Sequence, residues 1–172
     1  MVRITNIVIS VDLGCIIDLN SLCSILEGIK YDPTKFSGAI WKHPLLGGSC
    51  QVFHTGKMIC NGSAKTSHEG YIRIRRYAHM IKKAGWKVSP RDYKILTISA
   101  CHGLSGPLDI QSLCKKGFAS WEPELFCGAM LNKGKIHFTC FHTGKVVITG
   151  IKSLKDLDSV VYPTIKTLET FT

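Results

Sequence analysis

Histidine and cysteine are the residue types in this chain that could carry catalysis, and two of their placements stand out. The pentapeptide FHTGK occurs twice, 88 residues apart, and gives His54 and His142 the same context. Cys101 and His102 are adjacent in a β-rich stretch. Nucleophilic or acid–base catalysis needs such a group beside a base and a third, orienting residue. Neither arrangement has a matched third member, so the sequence predicts that the chain is not an enzyme.

The eight cysteines also give no pattern typical of a metal or redox site. They form no C-x-x-C pair, and most lie in apolar segments such as SLCSIL and KMICNG. Zinc and redox sites usually show closely spaced cysteines, whereas buried free cysteines behave as small hydrophobic residues. We expect no metal, no cofactor and no disulfide framework.

The charge balance favours an anionic partner such as nucleic acid, although it does not decide the matter. Lys and Arg number 22 against 12 Asp and Glu, and residues 1–92 carry 13 of the former and 6 of the latter. The N-terminal stretch MVRITNIVISVDLG contains Asp12 and does not resemble a signal peptide. No apolar run is long enough to span a membrane. We expect a soluble intracellular protein that has no membrane partner.

The repeated pentapeptide belongs to a repeat of the whole chain. YDPTKF precedes the first copy and WEPELF the second, IDLNSL corresponds to LDIQSL, and RYAHMIKK corresponds to VYPTIKTL. The offsets between these pairs are 85 to 91 residues. Such self-similarity indicates two related structural units. We predict a first repeat over residues 1–92 and a second over 93–172, which together form one domain.

Each half predicts the same series of elements. A β-rich strand opens it, and an Asp in N-cap position, Asp18 or Asp109, begins a short helix. A meander of three strands follows, in which TGK makes the last tight turn. A longer helix closes each half, from about Ser67 to Ala84 and from about Leu154 to Leu168.

The opening strands are apolar on both sides. Ile7, Val8, Ile9 and Val11 leave almost no alternation in the first of them. A strand of this kind is usually buried on both faces, yet the helices of an antiparallel α+β protein can cover only one face of the sheet. The second face is either a binding surface or part of a larger core, and the residues alone leave both readings open.

These motifs, in this order and in both halves, resemble the core of the TATA-box-binding protein family. The residues that carry the resemblance are NIVISVDLGCIIDL, YDPTKF with FHTGKMIC, RYAHMIKKAGW, WEPELF and FHTGKVVITG. The resemblance implies an α+β saddle: two pseudo-symmetric repeats form one curved antiparallel sheet with helices on the convex face. Its concave face would bind double-stranded DNA through the minor groove, and the family is itself a standard example of apolar wedges that kink the duplex.

The resemblance assigns the four wedges to phenylalanines. They are Phe36 and Phe53 in the first repeat and Phe126 and Phe141 in the second. The first pair is 17 residues apart and the second only 15, so the hairpin around 132–135 is expected to be two residues shorter.

Further DNA-binding residues follow from the family's groove positions and from strand alternation, since side chains two apart share a face. The groove-facing set is Asn6, Val8, Gln51, Ile59, Asn61, Thr97, Ser99, Thr139, Val147 and Thr149. The phosphate-facing set is Lys35, Lys42, Lys57 and Lys145. Gln51, Ser99 and Thr139 are polar where the family is apolar, so the surface that surrounds the wedges is more polar here.

The resemblance also implies partners and a location. Glu122, Glu124 and Leu125 match the surface that binds transcription factor IIB, and Arg73, Arg76, Lys82 and Lys83 match a helix face used by the IIA factor, TBP-associated factors and repressors. The protein would be a general initiation factor in the nucleus, or wherever the cell transcribes. Without DNA, its apolar face would also permit a homodimer. The alternative is a divergent relative that acts mainly as a protein-interaction platform with weak or no TATA preference.

Overall fold

The computed structural model describes every residue from 1 to 172 and contains two compact units. The first unit is Asn6–Leu96, and the second unit comprises Met1–Thr5 together with Thr97–Thr172. The proposed repeat boundary between residues 92 and 93 stays a prediction.

The first unit is built on antiparallel strands in the order β2-β3-β4-β5-β1. Their bounds are β1 (Arg3–Asp12), β2 (Ile29–Lys30), β3 (Gly38–Trp41), β4 (Ser49–Phe53) and β5 (Lys57–Asn61). The two-residue strand β2 was not predicted, because two residues carry no periodic signal.

Two helices cover one face of these strands. Helix α1 (Leu19–Ile25) begins at Asp18, whose side chain accepts the backbone N–H of Asn20, as predicted. Helix α2 (Ser67–Lys83) matches the predicted long helix to within one residue. Its N-cap is Thr66, whose hydroxyl accepts the N–H of Glu69, while the Glu69 carboxylate accepts the N–H of Lys65.

The core of the first unit lies between α2 and the strands. Ile74, Tyr77 and Ile81 of α2 are fully buried, and the Tyr77 ring meets the Trp41 ring edge to face at 4.8 Å. Ile7, Ile9 and Val11 are the buried side chains of β1 on this side. A β-carbon at Gly70 would lie 2.5 Å from the Ile9 Cδ1, so this glycine lets α2 approach β1.

The second unit repeats this plan with strands in the order β6-β9-β8-β7. Their bounds are β6 (Arg91–Gly103, which enters this unit at Thr97), β7 (Ala129–Lys133), β8 (Ile136–Cys140) and β9 (Lys145–Ile151). Helix α3 (Ile110–Lys115) begins at the predicted cap, Asp109, which accepts the N–H of Ser112.

The last helical segment runs from residue 155 to residue 169, close to the predicted range, but it is not a regular α-helix throughout. A π-helical turn at Leu157–Val161 precedes the α-helix α4 (Tyr162–Glu169). Pro163 lacks an N–H and so cannot make a regular helical bond at this point. Before the turn, the Asp156 carboxylate accepts the N–H groups of residues 152 and 153 and holds the chain in a bend.

The two hairpins differ in length, as the phenylalanine spacing predicts. In the second unit Lys133 pairs with Ile136 across a two-residue turn. In the first unit the ladder ends at the pair Trp41 and Cys50, and a longer loop connects β3 with β4. The Tyr77 hydroxyl holds this loop, because it accepts the N–H of His43 and donates to the Gly47 carbonyl, both at 3.3 Å.

All eight cysteines are free thiols. Cys50 and Cys60 are buried directly opposite each other on β4 and β5, and Cys140 is buried on β8. Burial, with a smaller contribution from Cys114, raises the pKa of the Cys140 thiol to about 12. No helix has both the length and the apolar character needed to cross a membrane.

Candidate nucleic-acid interface

The four candidate wedge phenylalanines form two matched pairs, one in each unit. Phe36 and Phe53 meet edge to face with ring centroids 5.7 Å apart, and Phe126 and Phe141 do the same at 6.0 Å. Phe36 is 37% exposed and Phe126 is 47% exposed. Each unit therefore presents one exposed aromatic ring supported by a second, less exposed ring.

A glycine makes each pair possible. A β-carbon at Gly38 would lie 2.8 Å from Cε1 of Phe36 and 3.0 Å from Cε1 of Phe53. At Gly128 it would lie 2.8 Å from Cε1 of Phe126 and 3.2 Å from Cε1 of Phe141. Since real β-carbons do not approach ring atoms this closely, a larger residue at either position would displace the rings.

The TGK turn places a lysine immediately after each supporting ring. The N–H of Gly56 donates to the Phe53 carbonyl, and Gly144 does the same to Phe141, both at 2.9 Å. Gly56 and Gly144 have φ values of +87° and +82°, the left-handed region that glycine adopts readily. The next residue in each turn is an exposed lysine that opens the following strand, Lys57 or Lys145.

In the first unit, the other candidate groove residues lie on the strand face that the helices leave open. Asn6 and Val8 on β1, and Gln51 and Ile59 on β4 and β5, alternate with fully buried neighbours. Gln51 pairs directly with Ile59. The Asn6 amide donates to the Asn61 Oδ1 at 2.7 Å and accepts the N–H of Gly62 at 3.3 Å.

The second unit presents the corresponding face with a different polarity. Thr97 and Ser99 on β6 are half-exposed beside the buried Ile98 and Ala100. On the neighbouring strands the half-exposed or exposed residues are Thr139, Val147 and Thr149. Thr139 pairs directly with Val147. No amide pair like that of Asn6 and Asn61 occurs among these residues.

Three residues of these faces were missed at the sequence level. Ile40 is 39% exposed opposite Gln51, and Met130 is 45% exposed opposite Thr139. Each follows the first phenylalanine of its pair by four residues, and this shared spacing could have identified them. His137 is exposed two residues before Thr139, and its ring Nδ1 lies 2.7 Å from the Asn132 Oδ1.

The four candidate phosphate-facing lysines are all exposed. Lys35 lies 3.3 Å from the Asp32 carboxylate. The Thr34 hydroxyl, and then Lys35, lower the pKa of Asp32. Because both side chains are largely exposed, this ion pair contributes little to stability and leaves Lys35 able to bind phosphate.

The candidate partner surfaces differ in how freely they are presented. Glu122, Glu124 and Leu125 all project from an exposed turn, and Leu125 is 81% exposed. Arg76, Lys82 and Lys83 are exposed on α2. Arg73 is half-buried, and its guanidinium donates to the Gly62 carbonyl, so it connects α2 to the end of β5.

The histidines that could suggest catalysis do not form a catalytic arrangement. The His54 Nδ1 lies 2.9 Å from the Ile17 carbonyl, where it ties the turn to the residue before α1. Glu169 lies between His102, at 3.7 Å, and Ser105, whose hydroxyl donates to it at 2.6 Å. Because Ser105 contacts the carboxylate and not the imidazole, His102 cannot act as its base. No group of three or more His, Cys, Asp or Glu residues could hold a metal ion.

Comparison with known proteins gives consistent matches. The family model described as "Transcription factor TFIID (or TATA-binding protein, TBP)" matches residues 1–84 and 92–171. The Drosophila melanogaster "TBP-related factor" is 34% identical over 160 residues, which cover 91% of this chain and 71% of that protein. The Caenorhabditis elegans "TATA-box-binding protein" is 30% identical over 173 residues, which cover 96% of this chain and 51% of that protein. The chain thus spans about half the length of the worm protein.

A solved structure has the same fold. The "Methanococcus jannaschii TBP" superposes with a TM-score of 0.87 at 29% identity over 98% of both chains. This likeness confirms the predicted α+β fold class of the TATA-box-binding protein family, which is built on an antiparallel sheet. The family model describes a transcription factor, so the expectation that the chain is not an enzyme is confirmed as well.

Proposed function

The chain belongs to the TATA-binding protein family, and from this premise we propose that it binds and bends TATA-like promoter DNA through the minor groove. The observation that carries the proposal is the aromatic pair in each unit, Phe36 with Phe53 and Phe126 with Phe141, in which the first ring is exposed and the second is half-exposed. Solvated aromatic pairs at matched positions of two repeats serve no core. They are suited to insertion between base steps.

Bending requires a favourable term that offsets the elastic and unstacking costs. A smooth bend of a short site costs roughly 1–6 kcal/mol, and unstacking a base step adds a few more. The rings and the apolar side chains beside them, Ile40 and Met130 included, provide surface that the groove can bury. Gln51, Ser99 and Thr139 reduce this surface, so we expect weaker binding than an all-apolar face would give.

The lysines supply the part of the affinity that does not depend on sequence. Lys35, Lys42, Lys57 and Lys145 are exposed and free to meet phosphates. Each phosphate contact releases counterions from the DNA. A plot of the logarithm of the affinity against the logarithm of the salt concentration should therefore fall with a slope of about 0.9 per contact.

In this proposal the bound protein nucleates an initiation complex in the nucleus. The exposed Glu122, Glu124 and Leu125 would bind a factor similar to transcription factor IIB, and the basic face of α2 would bind a IIA-like factor, TBP-associated factors or repressors. The half-buried Arg73 would support this helix face and not contact the partner directly.

A second candidate function is supported by the polarity of the groove face. Gln51 and Thr139 precede the supporting rings, and the Asn6 amide already bonds to Asn61. A face of this kind suits a protein-interaction platform with weak or no TATA preference. The four phenylalanines favour bending instead.

Fluorescence transfer across a TATA duplex labelled at both ends separates the two functions. We expect transfer to rise on binding, and Phe53→Ala or Phe141→Ala to abolish the rise. Phe118→Ala is the matched control, since Phe118 is 39% exposed but packs on Phe171 away from both pairs. Unbent DNA at micromolar protein would contradict the bending proposal and favour the platform.

A further inference from the structure

His137 occupies the open face of the second unit with no assigned role. It lies on β8 two residues before Thr139, and it pairs with Asn132 on β7 and with Thr149 on β9. Its side chain is exposed, and its ring lies beside Gly150, where a β-carbon would be 3.5 Å from the His137 Cδ2. The imidazole therefore stands on the same surface as the candidate groove residues.

The hydrogen bond to Asn132 determines which ring nitrogen is free. The Asn132 Oδ1 can only accept, so the 2.7 Å contact is a hydrogen bond in the tautomer that carries its proton on Nδ1. In the neutral imidazole this leaves Nε2 without a proton, as an acceptor. In the imidazolium, Nε2 carries a proton and is a donor.

The two states of Nε2 suit different base pairs. In the minor groove, an A·T pair offers only acceptors, whereas a G·C pair adds the N2 amino donor of guanine. A neutral His137 can accept a hydrogen bond from guanine and can make none with an A·T pair. A protonated His137 can donate to the acceptors of A·T.

We propose that His137, in its neutral form, is a base-reading residue that Asn132 holds in one tautomer and that favours a G·C pair beneath the second repeat. This inference rests on the proposed DNA binding and adds a specificity to it. Asn132 acts as the positioning residue, because it fixes the proton on Nδ1 and leaves Nε2 to meet the base.

The first unit has no counterpart, so the preference should occur on one side of the DNA site only. The repeat places Ser49 at the position of His137, and Ser49 pairs with Asn61 as His137 pairs with Thr149. Ser49 is half-exposed and has no ring. The first unit instead presents the Asn6 and Asn61 amides.

The charged surroundings of His137 are cationic. From β7 it faces Asn132 with Lys133 adjacent, from the turn it has Lys135, and from β9 it faces Thr149, with Lys145 at the start of that strand. The other titratable groups nearby in sequence are Cys140, which is buried, and His142. Residues 129–151 contain no Asp or Glu. These strands therefore present no carboxylate to the imidazole.

The test is a scan of one TATA-like duplex in which each pair is replaced in turn by G·C and by inosine·cytosine. Inosine lacks the N2 amino group, so the ratio of the two affinities isolates that group. At pH 8 we expect one position where G·C binds about three- to tenfold more tightly than inosine·cytosine, the range for one hydrogen bond. His137→Val should abolish this difference.

Two further variants keep the test specific. Asn132→Ala removes the acceptor from Nδ1 and should reduce the preference, because both tautomers of the neutral imidazole are then available. Ser49→Val, the matched change in the first unit, should leave the ratio unchanged. A ratio that His137→Val does not alter, on DNA that is still bound, would overturn this inference alone. Failure to bind any duplex would refute the proposed DNA binding and this inference with it.

Discussion

The Phe36 and Phe53 rings meet edge to face at a centroid separation of 5.7 Å, over a backbone that has no β-carbon between them. The missing β-carbon is that of Gly38, which pairs directly with Phe53. A β-carbon at Gly128 would likewise meet the Phe126 and Phe141 rings. The position of the rings thus depends on the glycine as well as on the contact between the two rings.

Gly38→Ala should therefore reduce DNA bending while it leaves the protein folded. The new methyl group would lie 2.8 Å from the Phe36 ring. The ring would move to relieve this contact, because it is exposed, whereas the paired backbone of the strand cannot shift as easily. Bend angle from fluorescence transfer and Tm from a thermal melt measure the two effects. Gly103→Ala is the control, since a β-carbon there meets nothing within 4 Å. Full bending by the Gly38 variant would show that the ring pair tolerates displacement.

Asn6 and Asn61 should be energetically coupled in the DNA-free protein. Their side chains share a 2.7 Å hydrogen bond, which typically contributes about 0.5–1.5 kcal/mol. A double-mutant cycle with Asn6→Ala and Asn61→Ala, followed by urea unfolding, measures the coupling. Additive effects of the two changes would argue against the bond in solution. Asn6→Ala should be the costlier single change, because Asn6 also accepts the N–H of Gly62.

Thr66→Ala should destabilise the protein by about 1 kcal/mol. The change removes the hydroxyl that accepts the Glu69 N–H at the start of α2, the helix that buries Tyr77 against Trp41. Urea unfolding measures the loss. Thr66→Ser keeps the hydroxyl and should retain nearly all the stability, so equal losses in the two variants would exclude the cap as the cause.

Stability should fall in acid partly through the caps of the two short helices. Hydrogen bonds, first from the Ser21 and Ser112 hydroxyls, lower the pKa of Asp18 and of Asp109 in the folded protein. A lowered carboxyl pKa adds stability above the unfolded value of about 3.9, and this stability is lost as the pH falls through the folded pKa. Tm measured from pH 7 down to pH 2 should therefore drop below about pH 4. The double variant Asp18→Asn with Asp109→Asn should flatten the drop, and an unchanged profile would rule these caps out.

Much of the fold could be predicted because the same series of motifs occurs in both halves of the sequence. The repeated FHTGK predicts both turns, and strand alternation predicts that Gln51 and Thr139 lie on the open face. Each observation in one half was checked by its counterpart in the other. The repeat provides this redundancy, and it does not depend on any single propensity.

Ile40 and Met130 do correspond to each other and could have been found from the repeat, whereas the other features that were missed have no counterpart or no periodic signal. His137 corresponds to Ser49, so the repeat gave no indication of its role. Arg73 has the spacing of an exposed helix residue, but the nearby Gly62 carbonyl draws its guanidinium inward. The π-helical turn before α4 depends on Pro163 and on a side-chain contact of Asp156 with the backbone, which apolar periodicity does not reveal.

The distribution of thiols has a consequence for the dynamics of this protein. Cys50 and Cys60 are buried in the first unit and Cys140 in the second, whereas Cys127 is exposed. The thiolate is the reactive form of cysteine, and burial protects these three thiols until the surrounding strands open. The raised pKa of Cys140 protects that thiol further, because it keeps the group protonated. Each half of the chain therefore contains a buried thiol that can react only when that half opens locally. The rate at which an alkylating reagent consumes each buried thiol would time the local unfolding of that half, with Cys127 as the reference for zero delay.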